Sequence, residues 1–113
     1  MIKIYHNPRC SKSREGLQIL EESNNDFKVV KYLENPFSVE ELKHIISLLG
    51  IKPIELVRTN EALWKTHYKT KKLSDAQVLK ALVKYPKLIE RPIVVKGNKA
   101  VIGRPPEKIL DII

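Results

Sequence analysis

One cysteine and five arginines are the residues of this chain best suited to chemistry, and their placement is specific. Cys10 is the only thiol and lies in "HNPRCSKSR", between Arg9 and Ser11, with Lys12, Ser13 and Arg14 following. A cysteine used as a small hydrophobe belongs in an apolar run. This one follows Asn7-Pro8 at the start of a helical pattern, either as N-cap or just before it. Free backbone N–H groups and the positive end of the helix dipole stabilise an anion there, so a thiolate is expected. Arg9, Arg14 and His6 are positioned in sequence to reinforce it. A C-x-x-C motif resolves its own disulfide, but here the second position is Ser13. Any disulfide formed at Cys10 must therefore be completed by an external thiol. Ser13 either hydrogen-bonds the thiolate or satisfies a backbone group of the first turn.

Arginine occurs only at Arg9, Arg14, Arg58, Arg91 and Arg104, and lysine supplies the rest of the positive charge. The planar guanidinium binds oxyanions in a bidentate way, whereas lysine acts as a point charge. Arg58 follows the apolar turn "IELV", Arg91 precedes Pro92, and Arg104 stands in "GRPP". Each, taken alone, reads equally as a solvated surface cation. Together they fall at element boundaries, where site residues concentrate.

The elements that must hold these groups follow from periodicity. "IKIY" (2–5) and "FKVVKY" (27–32) read as strands on either side of a helix from Ser11 to about Ser23, a βαβ unit with a parallel pair. Ser38 and Glu41 form a capping box before a helix that ends at Gly50. Pro53 opens a short helix through Val57, and Ser74 caps a helix that stops before Pro86. Trp64 and Tyr68, four apart, mark a further turn or two within the ambiguous segment 60–72. "PIVV" (92–95) and "AVIG" (100–103) flank "KGNK" as an antiparallel hairpin. A last helix starts at Pro105 and places Ile109, Leu110 and Ile113 on one side. The order βαβ, helical block, ββα implies an α/β fold with one mixed four-stranded sheet.

Composition bounds the rest. At 113 residues, 42% hydrophobic and 30% charged, the chain reads as a single soluble domain spanning 1–113. No apolar stretch approaches a membrane span, and no secretory signal or disulfide framework is present, so the cytoplasm is the expected compartment. The net charge of +8 fits a lysine-rich surface or an anionic partner. No recognised nucleic-acid motif accompanies it, so nucleic acid is not the expected partner. His6, His44 and His67 lack ligand spacing with one another and with Cys10, so no metal site is expected.

The segments "YHNPRCSKSR", "YLENPFSVEEL", "LVRTN", "ERPIVV" and "GRPPEKILDI", in this order, resemble the signatures of the glutaredoxin-linked arsenate reductase family, a branch of the thioredoxin-like fold. The resemblance covers essentially the whole chain. It implies Cys10 as the nucleophile that attacks arsenate, with His6 and Ser13 holding it as thiolate. Arg58, Arg91 and Arg104 would bind the oxyanion, and Pro92 would be cis beside the cysteine. The implied cycle uses glutathione as co-substrate, with no bound cofactor, and glutaredoxin as the protein that reduces the resulting mixed disulfide. Arg9 departs from the pattern, since a small residue precedes the cysteine in the family, and the chain stops at Ile113 where longer members continue. Two other readings share this fold. One is a glutathione-dependent reductase of disulfides; the other is a regulator of the Spx type that binds RNA polymerase.

Overall fold

The structure is a computed structural model that describes all 113 residues. Its chain clusters into two compact units: residues 1–35 with 91–113, and residues 36–90.

The first unit is built on a four-stranded sheet in the order β2-β1-β3-β4, with β1 Ile2–Tyr5, β2 Phe27–Val30, β3 Ile93–Lys96 and β4 Lys99–Ile102. β1 runs parallel to β2 and antiparallel to β3, and β3 is antiparallel to β4. This is the mixed, thioredoxin-like α/β arrangement expected. The crossover between the parallel strands is α1, Ser11–Glu22, which buries Ser13, Gly16 and Leu20 on one face. That spacing is the three-and-four repeat of one helical side. Ile2, Ile4, Leu20, Val94 and Ile109 form the unit's apolar core. The hairpin turns at Gly97, whose φ of 59° suits glycine.

Register decides what lies together. Tyr5 pairs with Val30 and with Ile93, and Ile93 pairs with Ile102. The segments after β1, after β2, before β3 and after β4 therefore all emerge at one end of the sheet. Backbone bonds extend this alignment past the strands, from His6 N–H to Val30 O at 2.8 Å and from Gly103 N–H to Pro92 O at 2.8 Å. Cys10, Lys31, Arg91 and Arg104 all belong to these segments.

The C-terminal element differs from expectation. Pro106–Asp111 is a 3₁₀ helix rather than an α-helix starting at Pro105. Its three-residue period puts Pro106 and Ile109 on the buried side, with Ile112 packing against the core, while Leu110 is 58% exposed. The grouping of Ile109 with Leu110 fails for that reason.

The second unit is helical: α2 Val39–Leu49, a 3₁₀ turn Pro53–Leu56, α3 Ala62–His67, α4 Asp75–Lys84 and a 3₁₀ turn Pro86–Leu88. Ser38 and Ser74 each cap a helix through a complete capping box, with Glu41 and Gln77 as the reciprocal partners. α2 ends on Gly50 in the left-handed conformation, φ 67°. α4 packs against α2 and both 3₁₀ turns. It buries Val78, Leu79, Ala81 and Leu82, while Ala76 in its first turn is exposed. The ambiguous segment is the single short helix α3, with Trp64 buried and its ring stacked on Tyr68 at 5.2 Å. No helix of the chain is long and apolar enough to cross a membrane.

Candidate active site

The loop between β1 and α1 is wired before it reaches the sulfur. Asn7 is buried and organises three connections. Its carbonyl accepts from Cys10 N–H at 3.0 Å, its Oδ1 accepts from Arg9 N–H at 3.0 Å, and its own N–H donates to Ser13 Oγ at 3.0 Å. Ser13 Oγ also pairs with His6 Nδ1 at 2.7 Å. Ser13 is fully buried, so this hydroxyl ties the start of α1 to the end of β1 in a place where water cannot substitute. Asn7 carries no chemistry that its residue type alone would assign. Its role depends on backbone partners, which a residue type alone does not reveal.

Cys10 is the N-cap of α1, with extended backbone (φ −97°, ψ 124°), and its sulfur is half-buried. Its side chain makes no capping hydrogen bond of ordinary geometry. It nevertheless lies in the field of the N–H groups at the second and third helical positions, Lys12 and Ser13. Partial burial is the largest single influence on the thiol and pushes its pKa up. The Ser13 N–H, the Arg91 guanidinium (through hydrogen bonding and charge) and the Lys12 N–H together outweigh it, so the net shift is downward.

Two guanidiniums reach this sulfur from across the sheet. Arg104 Nη2 donates to Cys10 Sγ at 3.5 Å, and Arg104 Nε donates to the Arg91 carbonyl at 2.9 Å. Arg104 thus touches the sulfur directly, and Arg91 supplies the main electrostatic pull. Arg91 is buried and sits next to a cis peptide bond to Pro92, as expected; a second cis bond, Arg104–Pro105, was not expected. Pro92 is hemmed in by glycines. A Cβ on Gly16 falls 2.8 Å from Pro92 Cγ and 2.9 Å from Ile109 Cδ1, and one on Gly103 falls 2.9 Å from Pro92 Cγ. Gly16, in the middle of a helix, is therefore needed for close approach rather than flexibility.

The sequence neighbours of the thiol behave differently from expectation. Arg14 Nη1 donates to the Pro8 carbonyl at 2.9 Å, and Arg9 is exposed; neither is among the groups that lower the Cys10 pKa. His6 contributes no positive charge at neutral pH. Its burial and the nearby Lys31 charge depress its pKa more strongly than the bond to Ser13 raises it, with Arg14 depressing it further. Ser13 acts on the sulfur through its backbone N–H, because its hydroxyl is engaged by His6 and Asn7.

Arg58 belongs to the second unit. Its backbone is clamped there: Arg58 N–H donates to Leu88 O at 2.7 Å, and Glu90 N–H donates to Leu56 O at 2.8 Å, around a bridge between Val57 and Ile89. Arg58 Nε lies 3.4 Å from Glu61 Oε1, a charge contact without hydrogen-bond geometry, so its buried Nε and Nη1 keep their donor capacity. His44 and His67 are exposed, and no group of three potential metal ligands forms.

Three comparisons with known proteins agree. The profile of the ArsC family matches residues 5–112. The arsenate reductase of Haemophilus influenzae is 46% identical, over 97% of this chain and 97% of its own, and the uncharacterized protein YfgD of Escherichia coli K12 is 47% identical over 99% and 96%. The solved structure of an arsenate reductase from Vibrio cholerae superposes with a TM-score of 0.93 at 46% identity, covering 99% of this chain and 97% of that one.

Proposed function

The chain belongs to the ArsC family, and from that premise we propose that it is a cytoplasmic arsenate reductase that uses the Cys10 thiolate as nucleophile and glutathione as its source of electrons. The observation that carries this reading is the half-buried sulfur at the start of α1, shifted toward thiolate and touched by Arg104. A thiolate and an arsenate repel each other in water. Guanidiniums beside the sulfur cancel that repulsion and hold the oxyanion where attack is possible. Arg91 and Arg104 take this role here, and Arg58, with unpaired donors on its guanidinium, is proposed as the third member of the set.

The sulfur–arsenic bond forms as an arsenate oxygen leaves as water. The thiol of glutathione then attacks Cys10 Sγ. A sulfur–sulfur bond forms, the sulfur–arsenic electron pair moves onto arsenic, and As(V) departs as arsenite, As(III). Glutaredoxin removes the glutathionyl group by thiol–disulfide exchange and releases the Cys10 thiolate. His6 and Ser13 are positioning residues in this scheme: they fix the loop so that the Ser13 N–H faces the sulfur. The cycle uses no metal or bound cofactor.

The test is arsenate-dependent turnover with glutathione and glutaredoxin, for the wild type and Cys10→Ser. The wild type is expected to turn over, and the variant to lose at least about 10³-fold, as removal of a nucleophile does. Clean protein that consumes glutathione with disulfide substrates but ignores arsenate would replace this reading with a glutathione-dependent disulfide reductase.

A further inference from the structure

The Cys10 loop has two flanks. With the strand order β2-β1-β3-β4, the segment after β1 has the start of β3 and end of β4 on one side, carrying Arg91 and Arg104. On the other side lies the segment after β2. There, the segment from His6 to Arg9 together with Lys31, Leu33 and Glu34 encloses a cleft of about 310 Å³. That is the lower end of the size range of small-molecule sites, roughly 300–1,000 Å³.

The floor of this cleft is polar and buried: His6 is 4% exposed and Asn7 5%. The hydrogen bonds of these two residues use His6 Nδ1, His6 N, and the N, O and Oδ1 of Asn7. His6 Nε2 and the Asn7 side-chain NH₂ are left for a ligand. The rim carries Arg9 and Lys31 facing one acid, Glu34, and all three are exposed. None of these three is in an ion pair. Two cations and one anion around a polar floor complement a molecule with two carboxylates and one ammonium group.

We infer that this cleft binds the second thiol of the reaction, a small peptide thiol bearing both carboxylate and ammonium groups. The inference rests on the reading of Cys10 as a sulfur resolved by an external thiol. Displacement at sulfur requires the attacking thiolate to approach in line, opposite the leaving group. Cys10 does not itself line the cleft but directly follows Arg9 of its rim. A thiol anchored there by its charged groups would therefore approach the sulfur from the β2 flank, while Arg104 touches it from the β3–β4 flank. Arg9 and Lys31 take the carboxylates, Glu34 the ammonium, and His6 Nε2 and the Asn7 amide the peptide group between them. Arg9, the residue that departs from the family pattern, thereby acquires a function.

The inference can be tested without arsenate. Ellman's reagent converts Cys10 to its mixed disulfide with thionitrobenzoate. An added thiolate then attacks Cys10 Sγ, a new disulfide forms, and the coloured thionitrobenzoate thiolate leaves. Glutathione and the uncharged 2-mercaptoethanol are compared on wild type, Lys31→Glu and Glu34→Lys. The glutathione rate is expected to saturate in the wild type and to fall about tenfold in both variants, the effect of one lost charged contact. The mercaptoethanol rate stays linear and within about twofold in all three. Equal, unsaturated glutathione rates in the three proteins overturn the inference. Should Cys10 form no mixed disulfide, the reactive-thiol reading fails by itself, and the cleft is still judged with S-methylglutathione. Amide shifts at Lys31, Leu33 and Glu34 in the untreated protein support the site; shifts absent or confined to other residues refute it.

Discussion

The two units of this molecule bury different things. All four buried polar or charged residues, His6, Asn7, Ser13 and Arg91, lie in the first unit; the buried side chains of α2, α3 and α4 in the second are Leu42, Ile45, Ile46, Trp64, Val78, Leu79, Ala81 and Leu82. A buried polar group costs stability unless it is bonded, so a protein places such groups only where their orientation serves a purpose. In the first unit three of the four sit within one loop and its helix start, joined to one another within 2.7–3.0 Å. In the second unit the buried side chains of the helices are apolar, and α2 and α4 are capped at exposed serines; its buried side-chain donors without a hydrogen bond are Nε and Nη1 of Arg58. The difference separates a region with a bonded polar network beside the Cys10 loop from one whose helices bury apolar side chains.

The largest effect that sharpens this contrast is on stability alone. Leu82→Ala removes a fully buried side chain of α4 and is expected to cost about 2–5 kcal/mol in denaturant unfolding. Because every group that shifts the Cys10 pKa lies in the first unit, the thiol titration of this variant should be unchanged. A displaced titration in the folded variant would break the division.

A smaller effect compares two serines. Ser13→Ala leaves the Asn7 N–H and His6 Nδ1 without their partner in a water-free place and should cost about 1–3 kcal/mol. Ser38→Ala removes a solvent-exposed cap and should cost about 0.5–2 kcal/mol, because water replaces part of the bond. The sharper distinction is in alkylation: Ser13→Ala slows the reaction of Cys10 at neutral pH, and Ser38→Ala leaves it unaltered. Equal alkylation rates would show that the buried network does not position the thiol.

How much of this was legible beforehand depended on how local each signal is. The capping boxes at Ser38 and Ser74, the Gly97–Asn98 hairpin turn and the β1–α1–β2 unit are encoded within a few adjacent residues, and they form as expected. α3 carries no side-chain cap and spans only 6 residues, which left its segment ambiguous. The cations around Cys10 show the opposite case. Arg9 and Arg14 adjoin the thiol in sequence and were expected to reinforce it, yet the cations that reach it are Arg91 and Arg104, which only the family resemblance had grouped with it. Strand register delivers them over a separation of up to 94 residues. The role of Asn7 stayed hidden for a related reason: two of its three bonds use backbone atoms.

The smallest effect concerns pH. The folded His6 pKa is below its unfolded value of 6.5, so between the two the unfolded chain binds more protons. Stability therefore rises with pH through that window and is lost as pH falls through the folded pKa. The account expects the melting temperature to climb between pH 5 and 7 (roughly the span below an ordinary histidine pKa), with a shallower climb in His6→Gln. An identical slope in the two proteins would mean that His6 is not held neutral by its burial.

The central claim is that the sulfur of Cys10 is an anion stabilised from across the sheet. Its most direct test is the pH profile of iodoacetamide alkylation for the wild type, Arg91→Ala and Arg104→Ala. The account predicts a wild-type midpoint below the ordinary cysteine value of about 8.5, moved upward in both arginine variants. A wild-type midpoint at or above that value, or one that neither substitution moves, would contradict it.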